Sequence, residues 1–207
     1  HCSRFSSHEL FGLNSTPRIV ASISAENANE VGVEVLSRVP AVLDRGMERA
    51  DLVALMAFVR LAVARGNRGR MFAKPGLVEL LIRAADTGET SEIKRQALGA
   101  LANLANADEN RVPMLAKPGL VDILLRSLPD ESEEVRYRAA HIAFALSLSS
   151  HAARGLDTVP VVAALAARLN DDGLRTRQRA AMALANIVGS DEKRSHMLLS
   201  SNDESVL

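Results

Sequence analysis

Tryptophan is absent from the chain, and aromatic residues of all kinds make up only 3% of its 207 positions. A core built on large rings is therefore excluded. β-branched runs bounded by turn residues are scarce, which argues against sheets. Cys2 is the single cysteine, so no disulfide closes within the chain and no cysteine-rich metal site exists. A reducing compartment, the cytoplasm or the nucleus, fits that usage. Charge of one sign is missing too: 25 basic residues balance 25 acidic ones. Whole-surface attraction to nucleic acid or to an anionic membrane is not indicated. No apolar run approaches the ~20 residues of a membrane span.

Catalytic constellations are lacking as well. The five histidines, His1, His8, His141, His151 and His196, show no H-E-x-x-H or other ligand spacing. "RGNRGR" (65–70) is glycine-rich but lacks a P-loop lysine and a preceding strand, so it reads as a basic turn. Ser149 and His151 are sequence neighbours with no placed acid, which is no triad. The reading is a non-enzyme without metal or cofactor.

What is present is alanine and leucine, in a repeated arrangement. Hydrophobic residues form 47% of the chain. Alanine is the best helix former and lets helices approach closely. "KPGLV" occurs at 74–78 and again 43 residues later at 117–121. "NRGRMF" (67–72) and "NRVPML" (110–115) keep the same step. "RQALGALANL" (95–104) and "QRAAMALANI" (178–187) lie 83 apart, about two periods. Helical solenoids repeat at about 40–47 residues.

Each unit reads as a short helix, a turn, a second helix, a turn and a longer third helix. In the clearest unit the first helix spans 110–117. Pro118 and Gly119 break it, the second spans 120–127, and the third runs from about 133 to 149 with Asp130 or Ser132 as N-cap. The third helix carries the most specific pattern. Ile93, Ala97, Ala100, Leu101 and Leu104 form one apolar face, matched by Val135, Ala139, Ile142, Ala143 and Leu146 and by Thr176, Ala180, Ala183, Leu184 and Ile187. Ala50, Ala54, Ala57, Phe58 and Leu61 supply the earliest copy. One unit cannot bury such a face alone, whereas stacked units can. The chain thus divides into a flexible tail (1–15), a degenerate repeat (16–47) with Pro40 in its second helix, regular repeats (48–190) and a truncated repeat (191–207). The last implies an array that continues, or one that ends in a modified cap.

These residues resemble the armadillo repeats. The "A-L-x-N-L" core of the family's third helix is carried by Ala100–Leu104 and by Ala183–Ile187. The resemblance covers roughly residues 48–199. It implies an all-α, right-handed superhelix of about four to five three-helix repeats, closer to catenin-like or vacuolar armadillo scaffolds than to nuclear-import adaptors. The adaptors place a tryptophan four residues before the asparagine, where this chain has Gly99 and Met182. The implied function is non-catalytic binding of a protein segment in a groove lined by third helices, with Asn103 and Asn186 bonding its backbone. An amide offers both donor and acceptor, so it suits a peptide group of any sequence. Two other readings stand beside this one: exposure to solvent, or a bond to the loop of the neighbouring repeat.

The equivalent position is Arg60 in the earliest copy and Ala145 in the third, so the ladder is broken. Helical geometry adds Gln96, Arg138 and Arg179 at seven residues before, and His141 and Met182 at four before. With Arg95, Arg136, Arg175 and Arg177 nearby, an acidic or phosphorylated partner segment fits by charge. The bland alternative is a row of solvated arginines, some paired with Glu133, Glu134 and Asp172. A further alternative, drawn from the resemblance, is the substrate-recognition part of a ubiquitin ligase whose adaptor domain lies elsewhere.

Overall fold

The computed structural model describes residues 51–88 and 90–202. The expected tail, the degenerate repeat and Cys2 lie outside them. Every regular element among the described residues is helical. The chain divides between Asn110 and Arg111 into two compact units.

In the first unit, α1 (Asp51–Val63), α2 (Arg65–Phe72), α3 (Leu77–Thr87) and α4 (Ser91–Ala105) follow one another. α4 packs on both α1 and α3. Its seam is closed: Ala97, Ala100, Leu101 and Leu104 are fully buried, against Phe58 and Leu61 of α1 and Leu77 and Leu81 of α3 in the same core. Each fully buried leucine contributes about 2 kcal/mol. The alanines keep the helix axes close enough for that burial. Thr90 caps α4, its hydroxyl accepting from the Ile93 N–H at 3.2 Å. "RGNRGR" is not a turn, as expected from its glycines, but the body of α2. Burial of Asn67 and Met71 holds this short helix despite about 1 kcal/mol lost per glycine.

The "KPGLV" copies form the same turn. Gly76 has φ 79° and Gly119 φ 81°. Leu77 and Leu120 each donate to the carbonyl of the lysine three residues back, at 3.2 Å. Proline then glycine between lysine and leucine is the arrangement of a type II turn, which requires a positive φ at its third position.

The division between units falls in α5 (Asp108–Leu115), which starts two residues earlier than the expected first helix. The second unit continues with α6 (Leu120–Ser127), α7 (Glu133–Ser147), α8 (Ser150–Leu156), α9 (Val159–Ala167), a short 3₁₀ turn (Arg168–Asn170) and α10 (Leu174–Asn202). α10 packs against α7, α8 and α9. The α7 seam, Val135, Ala139, Ile142, Ala143 and Leu146, is fully buried, and Thr176, Ala180, Ala183 and Ile187 of α10 are buried with it. Ser132 occupies the N-cap position of α7, while Asp130 Oδ1 accepts from the Ser132 N–H at 2.9 Å. α10 runs on through residues 191–202 of the expected truncated repeat.

Two asparagines explain the repeated "NR". Asn67 Nδ2 donates to the Leu61 carbonyl at 3.2 Å, and Asn110 Nδ2 donates to the Leu104 carbonyl at 3.0 Å. Both side chains are buried, and each ties the start of one repeat to the last turn of the preceding third helix. Such carbonyls have no partner inside their own helix.

Candidate functional site

Of the sequence-selected residues, Arg60, Gln96 and Asn103 belong to the first unit. Arg138, His141, Arg179, Met182 and Asn186 belong to the second. The two sets are described separately.

In the first unit, Arg60 is exposed in the last turn of α1. Asn103 is half-buried, and its Nδ2 donates to the Val59 carbonyl of α1 at 3.2 Å. Gln96 is buried and donates to Glu92 at 2.7 Å. Arg95 grips the same carboxylate at 2.5 and 2.9 Å. The Arg95 bond, then that from Gln96, overcome burial and hold the Glu92 carboxyl below its ordinary range. The asparagine thus bonds the neighbouring repeat, leaving its carbonyl oxygen and one amide hydrogen for other partners.

The second unit gathers more. One face of α7 presents Glu134, Arg138 and His141, and the facing side of α10 presents Arg175, Arg179, Met182 and Asn186. Asn186 Nδ2 donates to Ser147 Oγ at 3.0 Å, and that hydroxyl donates to the Phe144 carbonyl at 2.8 Å. Tyr137, His141 and Phe144 follow at four- and three-residue steps along α7, with ring centroids 5.8 and 6.4 Å apart. Arginines cover these rings. Arg175 lies 3.8 Å and Arg138 5.4 Å from the Tyr137 centroid, and Arg179 lies 4.8 Å from that of Phe144. Guanidinium over an aromatic face is attractive and fixes the side chain's plane.

Charge within this cluster is unbalanced. Glu134 pairs with Arg138 at 2.8 Å and with Arg175 at 3.8 Å. Arg179 has no carboxylate within ion-pair distance among the described residues. Three guanidiniums therefore face one carboxylate. His141 adds no charge at neutral pH. Burial first, then the charges of Arg179, Arg138 and Arg175, push its pKa down to about 4. Its Nδ1 and Arg138 Nε are both buried without a hydrogen-bond partner.

Arg136 does not belong to this face. Its side chain is buried and bonds Asp171 Oδ2 at 2.7 Å and Oδ1 at 3.1 Å, along with Asp172 and the carbonyls of Asp130 and Glu131. Arg177 is likewise occupied, donating to the Asp171 and Asp172 carbonyls. Neither is simply solvated and neither adds to the basic face, while the pairings that the alternative reading named do occur, Arg136 with Asp172 and Arg138 and Arg175 with Glu134. Tyr137 and Phe144 went unnoticed in the sequence. Their signal was there: "YRAAHIAF" spaces three rings along one side of a helix. Among the described residues, no group of His, Cys, Asp and Glu could hold a metal ion, and no helix is long and apolar enough to cross a membrane.

No protein-family model matches the sequence, and no curated protein matches it. Solved structures do. A designed armadillo repeat protein in complex with the peptide (KR)4 is similar with a TM-score of 0.74 at 18% identity, over 97% of this chain and 90% of that one. A second designed armadillo repeat protein is similar with a TM-score of 0.71 at 20% identity, over 87% of this chain and 80% of that one. A further engineered protein gives 0.69 at 22% identity, over 87% and 77%. At these identities the likeness speaks for architecture alone: the chain has the fold of the armadillo repeat solenoids.

Proposed function

We propose that the chain is a non-catalytic protein-interaction scaffold of a reducing compartment, and that an acidic partner segment lies along the face of α7 and α10. The observation that carries this reading is Arg179, held over Phe144 with no carboxylate within ion-pair distance among the described residues. Exposed Met182, one turn further along α10, adds an adaptable apolar contact. The free valences of Asn186 suit a passing peptide backbone. The similar designed protein binds an alternating Lys-Arg peptide. The surplus of positive charge here argues for the opposite sign.

Fluorescence anisotropy with labelled extended peptides of acidic, neutral and basic composition tests the proposal. The acidic peptide binds, and Arg179→Glu weakens it about tenfold or more, since like charge at a contact costs more than 1.4 kcal/mol. Equal binding of the basic peptide, or indifference to Arg179→Glu, refutes it.

A further inference from the structure

Resting on that reading, we propose that the Arg138–Arg175–Arg179 cluster of the second unit receives a phosphorylated side chain of the partner segment. The charge count selects the ligand. Three guanidiniums against Glu134 leave two positive charges in one patch. A phosphomonoester carries close to two negative charges at neutral pH, while a carboxylate carries one. Donor type agrees. Every cation in the patch is an arginine, whose planar fork presents paired N–H donors to phosphate oxygens. Three of them are held by rings: Arg138 and Arg175 share Tyr137, and Arg179 covers Phe144. Stacking lowers the entropy lost on binding, because the planes are already set. The neighbouring arginines do not compete, since Arg136 and Arg177 are spent on the Asp171–Asp172 loop.

The test uses the full chain and three peptides, acetyl-Gly-Gly-X-Gly-Gly-amide with X as phosphoserine, glutamate or serine. Arginine Nε–H resonances are followed by NMR, with inorganic phosphate and acetate as small-molecule arms. The phosphoserine peptide shifts the Arg138, Arg175 and Arg179 signals and binds about tenfold tighter than the glutamate peptide, a difference near 1.4 kcal/mol. Its affinity falls below pH ~6, where the dianion takes up a proton. Arg179→Gln lowers it several-fold and Arg179→Lys partly restores it, whereas Arg83→Gln, at an exposed position of α3 in the first unit, leaves it unchanged. Equal binding of glutamate and phosphoserine overturns the phosphate assignment while the scaffold reading stands. So does binding of long acidic peptides with no response to either phosphate probe. Failure of every peptide, long or short, overturns both.

Discussion

Replacing Asp171 with asparagine keeps its shape and removes its charge. In the native chain this carboxylate is almost wholly enclosed, with 1% of its side chain exposed, and Arg136 is enclosed at 9%. Removing one partner of a buried pair ordinarily costs 3–5 kcal/mol, because the other charge stays dehydrated (roughly). Arg136 would retain the carbonyls of Asp130 and Glu131 and the largely exposed Asp172. The loss should therefore fall at the low end, about 3 kcal/mol. For a chain of this size that lowers the melting temperature by about 6–12 °C. The assay is built in. Tyr137, the only tyrosine in a chain without tryptophan, is buried beside Arg136, so its emission follows unfolding of the second unit. The pH dependence has a definite sign. Burial raises the Asp171 pKa, but the Arg136 hydrogen bond, the Gly173 N–H and the Arg136 charge outweigh it and lower it overall. A depressed carboxylate stabilises the fold above its unfolded value, about 3.9, and loses that contribution as pH falls through the folded value. Wild type and Asp171→Asn should therefore converge in acid. Pairing Asp171→Leu with Arg136→Met should recover part of the loss, since Arg136 leaves no buried charge behind and only the less enclosed Arg168 loses its 3.1 Å partner. An unchanged melting temperature for Asp171→Asn, or a gap that persists in acid, would refute the reasoning.

Three further outcomes follow from the packing. Thr176 is fully buried with an unpartnered hydroxyl, at the position filled by Ile93 and Val135 in other copies; Thr176→Val should stabilise by about 1 kcal/mol in urea unfolding. Gly119→Ala forces a side chain into the left-handed region and should cost about 1–2 kcal/mol by the same measurement, with Gly76→Ala similar. Asn110→Ala removes the bond to the Leu104 carbonyl and should cost about 1–3 kcal/mol, seen as faster amide exchange at the end of α4.

The fold was legible because its signals are local and repeated. The Ala97–Ala100–Leu101 face and its copies obey a helical period, and Pro118–Gly119 can hardly be anything but a turn. The first helix of the clearest unit begins two residues earlier than expected, while α10 runs on through the break expected before residue 191. α2 was misread because its glycines speak locally, while the burial that overrides them does not. The proposed binding face was legible in part. Arg138, His141 and Arg179 follow from spacing along a helix, as do the rings of "YRAAHIAF". Arg136 could not be separated from them, because Asp171 lies 35 positions away and only folding brings it near. Asn103 shows the same limit. Its chemistry suits a guest peptide and a neighbouring helix equally, and the neighbour holds one of its hydrogens.

The Asn67 and Asn110 bonds give the array a grammar. Donor and acceptor recur together 43 residues apart, so a 43-residue cassette opening at Asn67 could be duplicated in tandem with every joint still matched. The joint after α7 obeys a different rule: among the described residues the Leu146 carbonyl takes main-chain donors alone, from Leu148 and Ser149. Lengthening the protein is therefore cheap at one seam and disruptive at the other, and a designer would choose where to cut accordingly.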